Sequence, residues 1–105
     1  MTSVAVLLST YNGEDFLEPQ LDSIIEQTIS NLKIYVRDDG STDSTQKILN
    51  DYKKKYPDKF IIYFGDNIGS SSSFWWLLQK VEAEIYFFCD QDDVWLPNKI
   101  AVHSS

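Results

Sequence analysis

Four short apolar runs set the limits on what this chain can fold into. They are VAVLLS (Val4 to Ser9), LKIYVR (Leu32 to Arg37), FIIYF (Phe60 to Phe64) and IYFFC (Ile85 to Cys89). The first, third and fourth are nearly continuous rather than alternating. A half-exposed strand alternates apolar with polar; a continuous run is covered on both faces, as in a parallel sheet flanked by helices. The intervening segments supply those helices. Leu17, Leu21, Ile24, Ile25 and Thr28 recur at helical spacing, with Pro19 in the first turn, where its missing N–H costs nothing. A second helix is expected from about Asp43 to Tyr56, with Ile48, Leu49, Tyr52 and Tyr56 on one face and N-cap candidates in GSTDST. A third covers Ser71 to Val81, with Phe74, Leu77, Leu78 and Val81 inward and the serine run as its cap. Strands alternating with helices predict right-handed β-α-β units in an α/β, doubly wound, mostly parallel sheet of about four strands with helices on both faces.

The chain's 105 residues suit one domain, and 43% hydrophobic content supplies a core for it. A net charge of −7 argues against nucleic acid as a partner, because phosphate binding needs clustered Lys and Arg. The one cluster, Lys53 to Lys55, reads as a solvated helix face. The single cysteine, Cys89, excludes an internal disulfide and suits a reducing compartment. No apolar run approaches the ~20 residues that span a bilayer, and MTSVAVLLSTYN lacks the basic start and long apolar stretch of a signal peptide. The expected location is the cytoplasm, with any attachment to the inner face of a membrane lying outside these residues.

In open parallel sheets ligands bind beyond the carboxyl ends of the strands, near the point where the winding reverses. The loops following the four strands are STYNGED, DDGSTD, GDNIGSSSS and DQDD, all small, polar or acidic. Asp38 and Asp39 admit two readings: a turn with Gly40 at positive φ, or a carboxylate that accepts N–H donors from a nucleobase edge. Asp90, Asp92 and Asp93 lie within four residues at the mouth of an apolar strand. Two such charges about 4 Å apart repel by roughly 4 kcal/mol in a protein-like dielectric, which a divalent cation would offset. A Mg²⁺ or Mn²⁺ held by one or two carboxylates and substrate phosphates is a common arrangement. Phosphoacceptor receiver domains also gather acids around Mg²⁺, but they need them after the first strand, where this chain has Ser9, Thr10, Tyr11 and Asn12.

Three stretches, LLSTYNGEDFLEPQLDSIIEQT, VRDDGSTDST and FFCDQDDVWLPNKI, resemble in order and spacing the N-terminal half of a family 2 glycosyltransferase with the GT-A fold. The flavour is that of bacterial rhamnosyl-type and polysaccharide transferases, and the resemblance runs from Val4 to Ile100. It implies a strand order 3-2-1-4 and transfer of a sugar from a nucleotide-diphosphate sugar, UDP- or dTDP-linked, to a hydroxyl of a saccharide or lipid-linked acceptor. By the same resemblance Ser9, Thr10, Tyr11 and Asn12 would line the base and ribose pocket, with Tyr11 near the base. Asp39 would accept the N3–H of uracil or thymine, while Asp38 would support the turn and reach towards the ribose. Asp90 and Asp92 match the family's Asp-x-Asp motif, so both would serve the metal, Asp92 directly and Asp90 through the ribose or a metal-bound water. Asp93 would face the donor sugar. The metal's work would be to stabilise charge growing on the departing diphosphate.

The pattern breaks in two places. The family's catalytic base and acceptor pocket normally lie well downstream of Asp-x-Asp, and His103 is a poor candidate, so the chain resembles the nucleotide-binding half of an enzyme and no catalytic base is expected in it. The alternative is a silent nucleotide- or metal-binding module. In NIGSSSSFWWLL, Ser73 stands where relatives often carry Asn; Asn67 and Gly69 remain and are counted with the nucleotide contacts. Trp75 and Trp76 are read as core, with an interface as the alternative, and Trp95 as packing under the metal loop. With the fourth strand at a sheet edge, IYFFC would be a template for self-association, so a homo-oligomer covering that strand and the Trp95 region is expected.

Overall fold

The structure is a computed structural model, and it describes residues 3–27 and 32–89. Its elements are β1 (Val4–Thr10), α1 (Leu17–Ile25), β2 (Leu32–Asp38), α2 (Thr45–Lys55), β3 (Phe60–Phe64), α3 (Ser70–Lys80) and β4 (Ile85–Cys89). All strand pairs are parallel, in the order β3-β2-β1-β4, as the strand and helix patterning and the family resemblance had led us to expect. Thr28, expected on the first helix, lies outside the described residues. Among the described residues no helix is long and apolar enough to cross a membrane.

The strand period of two divides the core in half. Val4, Val6 and Leu8 of β1 face α1 and α2, meeting Leu17, Leu21, Ile24 and Leu49. Ala5 and Leu7 face the other way, onto Leu77 and Val81 at the α3 side. Every residue of β1 is buried, which is why its sequence shows no alternation. Full burial of a Leu or Ile side chain contributes roughly 1.5–3 kcal/mol each, so this central strand and its two helical layers dominate the driving force for folding.

The helix ends depart from expectation in instructive ways. The serine run does not cap α3. The N-cap position is Gly69 at φ +92°, Ser70 already lies in the first turn, and Ser73 is buried. For α2 the cap does come from within GSTDST: Asp43 Oδ1 accepts the Thr45 N–H at 2.9 Å, while Ser44 at the N-cap position makes no side-chain capping bond. Lys54 and Lys55 are solvated, but Lys53 is half-buried and donates to the carbonyls of Pro57 (2.9 Å) and Phe60 (2.6 Å), tying α2 to the start of β3.

The tryptophan pair separates. Trp76 packs edge-on to Tyr63, with ring centroids 5.0 Å apart. Trp75 is 63% exposed, so the core reading fails for it. Successive helical residues are turned by roughly 100°, and Ser73 and Leu77, which mark the sheet-facing line of α3, leave room for only one of the two rings.

Candidate functional site

Register brings the carboxyl ends of three strands level. Thr10 pairs with Asp38, and Asp38 with Phe64, while β4 ends at Cys89 opposite Leu8. The loops leaving β1, β2 and β3 meet above the sheet. Both strands β1 and β2 extend one residue further than their apolar runs: the Asp39 N–H donates to the Thr10 carbonyl at 2.8 Å, and Thr10 Oγ1 donates to Asp38 Oδ1 at 2.8 Å.

The same period of two sends neighbouring polar residues to different places. Thr10 and Asp38 fall on the α1/α2 side. Asp38 is 0% exposed and accepts four hydrogen bonds, from Thr10 Oγ1, Ser41 Oγ (2.6 Å), the Ser41 N–H (2.9 Å) and Gln46 Nε2 (2.9 Å). Its four acceptor sites are all used, which makes it the keystone of the turn into α2. Asn12, at φ +47°, joins the same network: its N–H donates to Ser41 Oγ (2.9 Å) and its Oδ1 accepts the Thr42 N–H (2.8 Å). Gly13 N–H donates to Thr45 Oγ1 (2.9 Å), and Asp43 Oδ2 accepts the Glu14 N–H (3.2 Å). Burial works against ionisation of Asp43, but its bonds from Thr45 and Glu14 outweigh this and hold its carboxyl below the usual range. The first and second loops are thereby stitched into one floor.

Ser9, Arg37 and Asp39 fall on the α3 side, and there a cleft of about 360 Å³ opens. Ser9, Tyr11 and Asp39 form its floor; Asn67, Gly69, Ser70 and Phe74 form its wall. This size is at the lower end of small-molecule sites. Tyr11 is 44% exposed and is the aromatic residue among β1's contributions to the cleft lining. Asp39 is 2% exposed, with Oδ1 accepting from Arg37 Nη1 (2.7 Å) and the Ile68 N–H (2.8 Å), and Oδ2 accepting the Gly69 N–H (3.0 Å). Burial works against the charge of Asp39, yet the Ile68, Arg37 and Gly69 hydrogen bonds and the guanidinium's charge prevail, so its carboxyl sits below the usual range and is ionised at neutral pH.

Of the residues expected to contact a nucleotide, Ser9, Tyr11, Asp39, Asn67 and Gly69 therefore line one cleft. Thr10, Asn12 and Asp38 do not line it and instead brace the floor from beneath. Asp90, Asp92 and Asp93, together with Trp95 and His103, lie outside the described residues. Among the described residues no group of three or more His, Cys, Asp or Glu is placed to hold a metal ion. Sequence reasoning missed Arg37, Ser41, Ser70 and Phe74. For Arg37 a signal existed: a cation at the end of a buried strand requires a nearby anion, and Asp39 stands two residues on.

The profile of glycosyl transferase family 2 matches residues 5–103. The dTDP-rhamnosyl transferase RfbG of Shigella flexneri is 40% identical over 98 residues, covering 89% of this chain and 34% of that protein. Among solved structures, the mannosyltransferase PcManGT of Pyrobaculum calidifontis, in complex with GDP-Man and Mn²⁺, superposes with a TM-score of 0.82 at 28% identity, over 90% of this chain and 28% of that one. TarS 1–349 of S. aureus in complex with UDP-GlcNAc gives a TM-score of 0.79 at 28% identity, over 97% of this chain and 29% of that one. The chain thus spans about a third of the length of these relatives. A parallel sheet in the order 3-2-1-4, a cleft at its carboxyl ends and a profile match over nearly the whole sequence lead to one conclusion: the chain belongs to glycosyl transferase family 2.

Proposed function

We propose that residues 1–105 form the nucleotide-sugar-binding half of a glycosyltransferase that moves a sugar from a nucleotide-diphosphate donor to an acceptor hydroxyl in cell-surface polysaccharide synthesis. The observation that carries this reading is the cleft lined together by the aromatic Tyr11 and by Asp39, whose ionised carboxylate is held by hydrogen bonds. A stacking surface beside a hydrogen-bond acceptor is the minimum a nucleobase site needs. The network of Thr10, Asn12, Asp38 and Ser41 braces the adjoining loops, and the Thr10 carbonyl accepts the Asp39 N–H at 2.8 Å, which favours a preformed site.

Charge supports a divalent ion as the second requirement. No described residue lining the cleft is a cation, and Arg37 behind it is paired with Asp39 at 2.7 Å, on a chain of net charge −7 that must meet a diphosphate. β4 delivers the chain at Cys89, opposite Leu8 and hence beside the cleft residue Ser9, and the next residues in sequence are Asp90, Gln91, Asp92 and Asp93. Carboxylate oxygens suit Mn²⁺ or Mg²⁺, and Asp90 and Asp92 are the residues that would hold it, with Asp93 towards the donor sugar. When bound, such an ion supplies charge stabilisation to a departing nucleoside diphosphate. The similarity to transferases solved with GDP-Man and Mn²⁺ and with UDP-GlcNAc supports both requirements. The donor is read as UDP- or dTDP-linked, the acceptor as a saccharide or lipid-linked hydroxyl, and the location as cytoplasmic. Phe88, 52% exposed on edge strand β4, and Trp75 near it supply an apolar surface that supports self-association through that edge.

Titration calorimetry of UDP, dTDP and GDP with and without Mn²⁺ tests the proposal. Binding is expected to need the metal and to weaken at least about tenfold in Asp92→Ala. Binding indifferent both to metal and to that substitution would remove the catalytic reading.

A further inference from the structure

Arg37 is a buried cation held by three hydrogen bonds. Its Nη1 donates to Asp39 Oδ1 (2.7 Å) and to Ser73 Oγ (3.2 Å), and its Nη2 donates to the carbonyl of Asp66 (3.1 Å). Its guanidinium lies over the Trp76 ring, 5.4 Å from the centroid, and against Gly65, where a Cβ would fall 2.8 Å from Cζ. This arginine consequently decides which face of Asp39 remains available.

An ionised carboxylate offers about four acceptor sites, two on each oxygen. Asp39 Oδ1 spends both of its own on Arg37 and on the Ile68 N–H, and Oδ2 spends one on the Gly69 N–H. Among the described residues one site is left, on Oδ2. A carboxylate reads guanine by using both oxygens at once, because the ring N1–H and the exocyclic amine stand side by side. Uracil and thymine present a single N3–H.

We infer that Arg37 is a positioning residue that sets base specificity: by occupying Asp39 Oδ1 it leaves the cleft able to accept one N–H, so the donor nucleotide carries uracil or thymine rather than guanine. The inference rests on the donor-nucleotide reading proposed above and deepens it. It also gives Ser73 a role, since that hydroxyl accepts from the same Nη1 and anchors the arginine to α3.

Calorimetric titration of the chain in saturating Mn²⁺ with UDP, dTDP, GDP and inosine diphosphate tests it. Inosine carries the guanine ring without its amine and so offers a single N–H. The wild-type chain is expected to bind UDP and dTDP about tenfold or more tightly than GDP, and inosine diphosphate no more weakly than GDP. GDP binding about tenfold tighter than inosine diphosphate would show both oxygens in use and overturn the inference. Arg37→Met frees Oδ1, and the preference for GDP over inosine diphosphate is then expected to rise about tenfold while UDP binding falls. If Arg37 is merely structural, the substitution weakens all four nucleotides by one factor and leaves their ratios unchanged, which refutes a specificity role. Should the variant fail to fold, the wild-type comparison of guanosine with inosine diphosphate still decides. Failure of the wild type to bind any nucleotide would instead defeat the donor-site reading, and the inference with it.

Discussion

Gly65→Ala offers a direct measure of how firmly Arg37 is held. Gly65 is not in the left-handed region of φ, unlike Gly40 and Gly69, so its missing side chain answers a steric demand rather than a backbone one. A Cβ there would collide with Arg37 Nη2 and approach Cζ to 2.8 Å and Nε to 3.2 Å. Two escapes exist. The guanidinium can swing away, which abandons the buried Asp39 carboxylate at a cost of about 3–5 kcal/mol. Alternatively the β3–α3 loop can shift outward, at the roughly 1–3 kcal/mol typical of overpacking. The cheaper route wins, so the expected loss is about 1–3 kcal/mol, or roughly 5–20 °C in Tm for a chain of this size. The assay is a double-mutant cycle with Arg37→Met, by urea and thermal denaturation of all four proteins. With the guanidinium gone the alanine has space, and its cost is expected to fall by at least about 1 kcal/mol. Additivity within about 0.5 kcal/mol would show that Gly65 and Arg37 are not in repulsive contact, and the picture of a locked arginine would be wrong.

Other consequences can be measured on the same material. Asp38→Ala strips four hydrogen bonds from buried or half-buried donors and is expected to destabilise by about 2–4 kcal/mol in urea; a loss under about 1 kcal/mol would mean that the floor network is not structural. The Asp39 carboxyl titrates below its ordinary 3.8 in the folded chain, so its ionised form stabilises the fold above that value, and this contribution is lost as pH falls through the folded pKa. The Tm gap between wild type and Asp39→Asn is accordingly expected to be widest near neutral pH and to close below 3.8; a gap constant with pH would contradict the ion pair. Trp76→Ala is expected to cost about 3 kcal/mol or more, while Trp75→Ser, at an exposed site, changes stability by under about 0.5 kcal/mol and lowers the sedimentation coefficient if the β4 edge self-associates.

Much of this architecture is legible in the chain because periodicity is a local property. The unbroken VAVLL run can be satisfied only between two covering layers, and the structure buries all of β1 between α1, α2 and α3. Leu17, Leu21 and Ile24 meet on one helical face for the same reason. The site is only partly legible. Acids at strand ends announce a polar rim, but Asp38 and Asp39 look equivalent as letters and are opposite in role. What separates them is strand parity and the groups each then meets: Asp38, opposite Thr10 in the ladder, points towards α2, whereas Asp39, one residue on, turns to the α3 side and meets the backbone of Ile68 and Gly69. The partners that fix these roles, Thr10 for Asp38 and Ile68 and Gly69 for Asp39, lie 28 to 30 residues away in sequence, which no window of neighbours contains. Arg37 is the counter-case, since counting by two from Tyr35 puts it on the α3 side, and a cation buried there must find an anion. Strand parity therefore places the charge and its carboxylate on one side, and only the long-range packing shows which backbone groups complete the site. The chemistry of the cleft is decided at that junction between local pattern and distant pairing.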